Sequence, residues 1–109
     1  MDEEKYELAM KIITHAGTGK SCALEAIDLA ADGDFAGAEQ SLAEARGEMR
    51  KAHDIQFSMI QQEASGRPVD VHLILLHAED HLTMAIMCID LAERFMALYR
   101  RIAADEQKG

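Results

Sequence analysis

The chain has 109 residues and one compositional character throughout, which bounds it to a single small domain, residues 1–109. Hydrophobic residues make up 49% and charged residues 28%, too apolar a mixture for a disordered tail, while Pro 1 and Trp 0 argue against a turn-rich β-sandwich and for an all-α chain. The net charge of -9, from Lys+Arg 11 against Asp+Glu 20, opposes binding to nucleic acid or an anionic lipid surface and favours basic protein partners.

Two turn-forming clusters, Asp32-Gly33-Asp34 and Ser65-Gly66-Arg67-Pro68, divide the chain into three long segments. In the first, Leu8, Ile12, Ile13, Ala16, Ala23, Leu24, Ile27 and Ala30/Ala31 recur at helical spacing, and Gly33 is placed to end the helix in a left-handed cap. Asp34 can then cap the second helix, whose apolar face reads Phe35, Ala38, Leu42, Ala45, Met49, Ala52 and Gln56 toward Met59/Ile60. Pro68 presets the backbone near the start of the third segment, expected from about Val71 to Ala103 with a frayed polar tail at Asp105-Glu106-Gln107-Lys108-Gly109. Each segment would be on the order of 45 Å long as a helix, and the short connections make neighbours antiparallel. An antiparallel three-helix bundle per subunit follows.

The third segment is apolar almost all round, through Leu73, Ile74, Leu75, Leu76, Leu82, Met84, Ala85, Ile86, Met87, Cys88, Ile89 and Leu91. One side of such a helix faces water in a monomer, so this pattern predicts a homo-oligomer packed along a seam of Leu73, His77, Asp80, Met84, Met87 and Leu91. Two polar residues interrupt the seam. Within Leu76-His77-Ala78-Glu79-Asp80-His81-Leu82, imidazoles stand at i and i+4 and a carboxylate at i+3, close to one helical face. His77 can act as a nucleophile toward a phosphoryl group, and His81 can donate to a phosphoryl oxygen. Spacing alone leaves open a pair of structural histidines or a metal-binding pair. If Asp80 lies on a symmetry axis, converging carboxylates share protons or recruit a divalent cation such as Mg²⁺.

The stretch His77-Ala78-Glu79-Asp80-His81-Leu82-Thr83 resembles the His-Ala/Gly-Gln-Asp-His-Leu-Met signature of the lactose/cellobiose-type IIA component of the bacterial phosphoenolpyruvate-dependent sugar phosphotransferase system. Gly33-Asp34-Phe35, Ala52-His53 with Gln56, and Glu63-Ala64-Ser65-Gly66 extend the resemblance over nearly the whole chain. It implies a homotrimer forming a nine-helix bundle and a phosphohistidine relay rather than a stand-alone enzyme. His77 would take a phosphoryl group from phosphorylated HPr and pass it to a cysteine of the IIB component. His81 would lie near the transferred group, and Asp80 from each subunit would hold a divalent cation, Mg²⁺, at the trimer axis. The chain departs from the family at Glu79, where Gln is usual: an ionised carboxylate only accepts hydrogen bonds and repels a phosphoryl oxygen, so Glu79 must point away, be protonated or be compensated by a partner. Rival readings are a metal-binding helical bundle using His77, Asp80 and His81, and an adaptor that has lost phosphotransfer, for which Glu79 is the motive.

Gly17-Thr18-Gly19-Lys20-Ser21 lacks the first Gly of a P-loop, since Thr14 stands there, and follows a helix instead of a strand. Its glycines read as places where a neighbouring helix or a docking partner approaches the backbone, and Lys20 as a basic group in reach of the phosphoryl site. His53 and Gln56 are expected to support the bundle, His15 and His72 to be surface or interface residues, and Cys22 and Cys88 to be small core residues. The two cysteines form no CxxC pattern, the start Met1-Asp2-Glu3-Glu4-Lys5 is acidic rather than basic, with Asp2-Glu3-Glu4 expected as a solvent-facing helix start, and no apolar run reaches the roughly 18 residues of a spanning helix. A reducing, cytoplasmic setting without membrane insertion is expected.

Overall fold

The structure, a computed structural model, describes residues 3–108; Asp2 of the acidic run and Gly109 of the tail lie outside them. Three helices follow one another: α1 (Glu3–Ala31), α2 (Phe35–Ala64) and α3 (Leu73–Lys108). They form an antiparallel bundle of 62 × 21 × 19 Å. α1 packs along both other helices, whereas α2 and α3 touch sparingly.

Both breaks arise from local chemistry. Gly33 has φ 86° and Gly66 φ 90°, the left-handed conformation that side chains disfavour. At the first turn the Asp34 amide donates to the Leu29 carbonyl at 2.9 Å, and the Asp34 carboxylate accepts from the Gly37 amide at 2.9 Å, capping the start of α2. At the second, the Ser65 amide donates to the Gln61 carbonyl at 3.0 Å and the Arg67 amide to Gln62 at 3.1 Å.

The third helix differs from expectation at both ends. It begins at Leu73, not Val71, because Pro68 and the β-branched Val69 and Val71 keep 67–72 non-helical while Val69 packs against the core. The His72 carbonyl takes the first helical bonds, from Leu75 at 3.0 Å and Leu76 at 3.2 Å. The helix continues past Ala103 to Lys108, since Ala, Glu, Gln and Lys are good helix formers and no breaker precedes Gly109.

Two clusters make the core. One surrounds Ile12 and Leu82, the largest fully buried side chains, with Ala9, Ala16, Ala52, Met59, Leu75, Ala78 and Ala85. The other joins Leu42, Ile89 and Met96 across small residues, among them Ala23, Ala26, Ala30, Ala38, Ala45 and Ala92. These alanines let the helices approach closely. Of the expected apolar positions, Leu24 and Ile60 are instead exposed, at 45% and 53%, because they lie at the rims of their helical faces, and Ala31 is exposed at the last residue of α1. No helix among the described residues is long and apolar enough to cross a membrane.

Candidate functional site

α3 buries Leu75, Ala78, Leu82, Ala85, Ile89, Ala92 and Met96 against the other helices. At 100° per residue, Leu73, His77, Asp80, Met84, Met87 and Leu91 fall on the opposite side, and all are exposed. The apolar stripe expected to meet another subunit is therefore uncovered in a single chain. It also runs beyond Leu91, where the expected seam ends, through Phe95, Leu98 and Ile102, exposed by 41%, 50% and 42%. The signal was present, since these residues continue the same three- and four-residue spacing.

His77 and His81 meet near the N-terminal end of α3, one turn apart. Their ring centroids are 4.3 Å apart with an interplanar angle of 64°, an edge-on contact. The His81 Nδ1 lies 3.0 Å from the His77 carbonyl oxygen. A carbonyl only accepts, so this hydrogen bond places the hydrogen on Nδ1 of His81 and leaves Nε2 for other partners. The pair forms a ridge between two hollows. On one side His77 and Asp80 join Leu73, Ile74 and Leu76 around a largely apolar depression. On the other, His81 faces Thr14, Gly17, Thr18 and Ser21 of α1 across a groove of about 510 Å³.

Glu79 does not belong to this constellation. Two residues beyond His77 it lies about 200° around the helix, half-buried, where its carboxylate accepts a hydrogen bond from Gln56 Nε2 of α2. The three possibilities the sequence left for this carboxylate reduce to the first: it points away from the histidines. Gln56 supports the bundle as expected. His53 does not: it is exposed and stacks on Phe57 with centroids 6.4 Å apart, because its position on α2 faces outward and not toward α1 or α3.

His15 is half-buried, with Nδ1 2.7 Å from Glu48 Oε2, and Lys51 Nζ reaches the other Glu48 oxygen at 3.1 Å. Lys20 is exposed and is not among the walls of the groove beside His81. His72 is exposed. Cys22 and Cys88 are half-buried free thiols, and burial together with the Glu44 carboxylate pushes the Cys22 thiol up, away from the reactive thiolate. Gly19 is buried where α1 meets α2, as its small size suggested.

A metal would find hard carboxylate oxygen at Asp80, exposed on the uncovered stripe beside His77. Among the described residues no group of three or more His, Cys, Asp and Glu could hold an ion within one chain.

The sequence matches the family described as the lactose/cellobiose-specific IIA subunit of the PTS, the phosphotransferase system, over residues 7–100. It is 40% identical over 109 residues to the lichenan-specific phosphotransferase enzyme IIA component of Bacillus subtilis, covering 100% of this chain and 97% of that protein. Its fold is similar to the crystal structure of the PTS cellobiose-specific enzyme IIA from Bacillus anthracis, with TM-score 0.90, 33% identity and coverage of 95% and 94% of the two chains. It is also similar to a chain in the solution structures of the IIA(Chitobiose)–HPr complex of the Escherichia coli phosphotransferase system, with TM-score 0.79, 28% identity and coverage of 94% and 99%. With three helices, the described histidine ridge and a match over most of its length, the chain belongs to the lactose/cellobiose-specific IIA subunits of the sugar phosphotransferase system.

Proposed function

We propose that the chain is a cytoplasmic phosphocarrier in which His77 accepts a phosphoryl group from phosphorylated HPr and passes it to a cysteine of the cognate IIB component during sugar uptake. The observation that carries this reading is the exposed imidazole of His77, held edge-on against His81 within an uncovered apolar stripe. The similarity to a IIA chain studied in complex with HPr supports the donor.

In the first step an unprotonated ring nitrogen of His77 attacks phosphorus with its lone pair. The N–P bond of the donor phosphohistidine breaks, and the donor imidazole leaves with that electron pair. In the second, a cysteine thiolate of IIB attacks, the N–P bond at His77 breaks, and His77 returns as neutral imidazole. Such transfers pass through a loose transition state, so positioning and electrostatics supply most of the acceleration. His81 contributes through Nε2, since Nδ1 is engaged with the His77 carbonyl; a doubly protonated ring donates from there to a phosphoryl oxygen. Leu73, Leu76, Met84 and Met87 lie exposed along α3 on either side of His77; once covered by a docked protein they would shield the phosphohistidine from water, and the methionines would adapt to two different partners.

The uncovered stripe of α3 supports self-association, and the assembly we propose is a homotrimer with Asp80 of each subunit at the axis. There the three carboxylates would hold a divalent cation, Mg²⁺ suiting their hard oxygens, which would neutralise their mutual repulsion. The position of Glu79, tied to Gln56 on the far side of α3, removes the motive for an adaptor without phosphotransfer.

The test is the intact mass after incubation with phosphoenolpyruvate, enzyme I and HPr. One acid-labile phosphoryl adduct is expected on the wild type and none on His77→Ala, which keeps its helical fold. No adduct on the wild type with HPr itself phosphorylated would overturn the relay in favour of a metal-binding bundle or an adaptor.

A further inference from the structure

α1 carries two glycines inside its helix, and their surroundings are opposite. A Cβ on Gly19 would stand 3.2 Å from the Ala45 carbonyl oxygen and 3.6 Å from the Met49 amide nitrogen, so the approach of α2 requires glycine there. A Cβ on Gly17 would meet nothing within 4 Å, and Gly17 is not among the glycines of positive φ. Neither backbone conformation nor packing within the chain asks for glycine at 17, yet glycine weakens a helix relative to alanine. What Gly17 does is open the wall of the groove whose opposite side is His81, the imidazole that abuts His77.

We propose that Gly17 is a specificity-determining position of the transfer reaction. Its missing side chain leaves the room through which the donor protein's phosphorylated side chain reaches His77 alongside His81. The inference rests on the phosphocarrier reading given above. The character of the groove favours a transient visitor over a second copy of the chain. Beside Ile13 and Cys22, Thr18, Ser21, Glu25 and His81 give it hydroxyls, a carboxylate and an imidazole, whereas the uncovered stripe on α3 is aliphatic and aromatic apart from His77 and Asp80. Permanent self-contacts select apolar faces and passing ones tolerate polar walls. The Thr18 and Ser21 hydroxyls are also donors suited to phosphoryl oxygens.

The experiment compares Gly17→Ala, Gly17→Leu and Gly47→Ala, measuring phosphorylation kinetics with phospho-HPr, assembly mass and Tm. Gly47 is the control: a Cβ there also meets nothing within 4 Å, but it stands on α2 and does not line this groove. Both alanine variants are expected to keep the wild-type mass and to raise Tm by about 4 °C through helix propensity. Gly17→Leu is expected to raise KM for phospho-HPr about tenfold, the scale of an overpacked contact, with kcat at saturating donor retained. Gly17→Ala should do so less, and Gly47→Ala should leave KM unchanged. An unchanged KM in Gly17→Leu, or an equal rise in Gly47→Ala, would overturn the proposal. So would dissociation of the assembly by Gly17→Leu, which assigns the groove to a contact between subunits. A wild type that takes no phosphoryl group fails at the earlier reading, so the two failures are distinguishable.

Discussion

The two ends of the bundle solve the same packing problem with different surfaces. At the end holding the α1 N-terminus and the start of α3, large apolar side chains are exposed on all three helices: Tyr6 and Met10, Phe57 and Ile60, Leu73 and Leu76. At the other end, Leu24 apart, such residues are confined to α3, and the α2–α3 seam is tied by ion pairs. Arg46 reaches Glu93 at 2.6 Å, and Arg100 reaches Glu39 at 3.0 Å while lying 4.7 Å from the Phe35 ring centroid. The histidine end leaves its surface free for others, and the far end closes upon itself. The corresponding α2–α3 tie at the histidine end is the Gln56–Glu79 hydrogen bond, which holds a carboxylate away from the reactive face.

The difference lies in the surfaces and not in the cores, so the largest stability effect should come from the buried layer at the histidine end. Leu82, 1% exposed, lies one residue from His81. Leu82→Ala should cost about 2–5 kcal/mol in chemical denaturation. A loss below that range would show that this end is loosely packed and that its exposed residues do not stand on a rigid base. Asp80→Leu tests the uncovered stripe. If three Asp80 carboxylates converge, replacing them with an apolar group should hold or raise stability, by about 1–4 kcal/mol by analogy with other buried charge clusters. Thermal unfolding together with the assembly mass measures this; a large destabilisation or release of single subunits would contradict placing Asp80 at the axis.

At the far end the effects should be smaller. Arg46 and Arg100 are about half exposed, and exposed ion pairs contribute at most about 1 kcal/mol. Arg100→Ala should cost more than Arg46→Ala, because it also removes the contact with the Phe35 ring. Equal or reversed losses in urea denaturation would show that the ring contact adds nothing.

How much of this was legible depended on the range of the forces involved. The two breaks were readable because Gly33, Asp34, Ser65 and Gly66 act within a few residues of themselves. The seam of α3 was readable because helical phase is local arithmetic, and the same arithmetic would have separated Glu79 from His77. Its partner could not be read: Gln56 reaches Glu79 from another helix, and only the rotation of α2 against α3 decides that meeting. The same rotation put His53 in solvent while Gln56 turned inward. The start of α3 was misplaced by two residues because the packing of Val69 against the core is a tertiary contact. The groove beside His81 was hidden for a similar reason, since Gly17 and His81 come from helices that sequence spacing cannot align.

The smallest effect belongs between the two ends, where His15 and Lys51 both donate to Glu48. These two hydrogen bonds, His15 first, hold the Glu48 carboxyl below its ordinary value of 4.5. The unfolded chain then binds the proton more readily than the folded one in the interval below that value, so stability rises with pH across it. The contribution is complete above the unfolded value and is lost as pH falls through the lower, folded one. Glu48→Gln removes it. The gap in urea midpoint between wild type and Glu48→Gln should therefore hold steady from about pH 6 to 5 and close on further acidification. A gap that widens in acid would mean that Glu48 is held by something other than its two donors, and that the α1–α2 contact at the middle of the bundle does not depend on this ion pair.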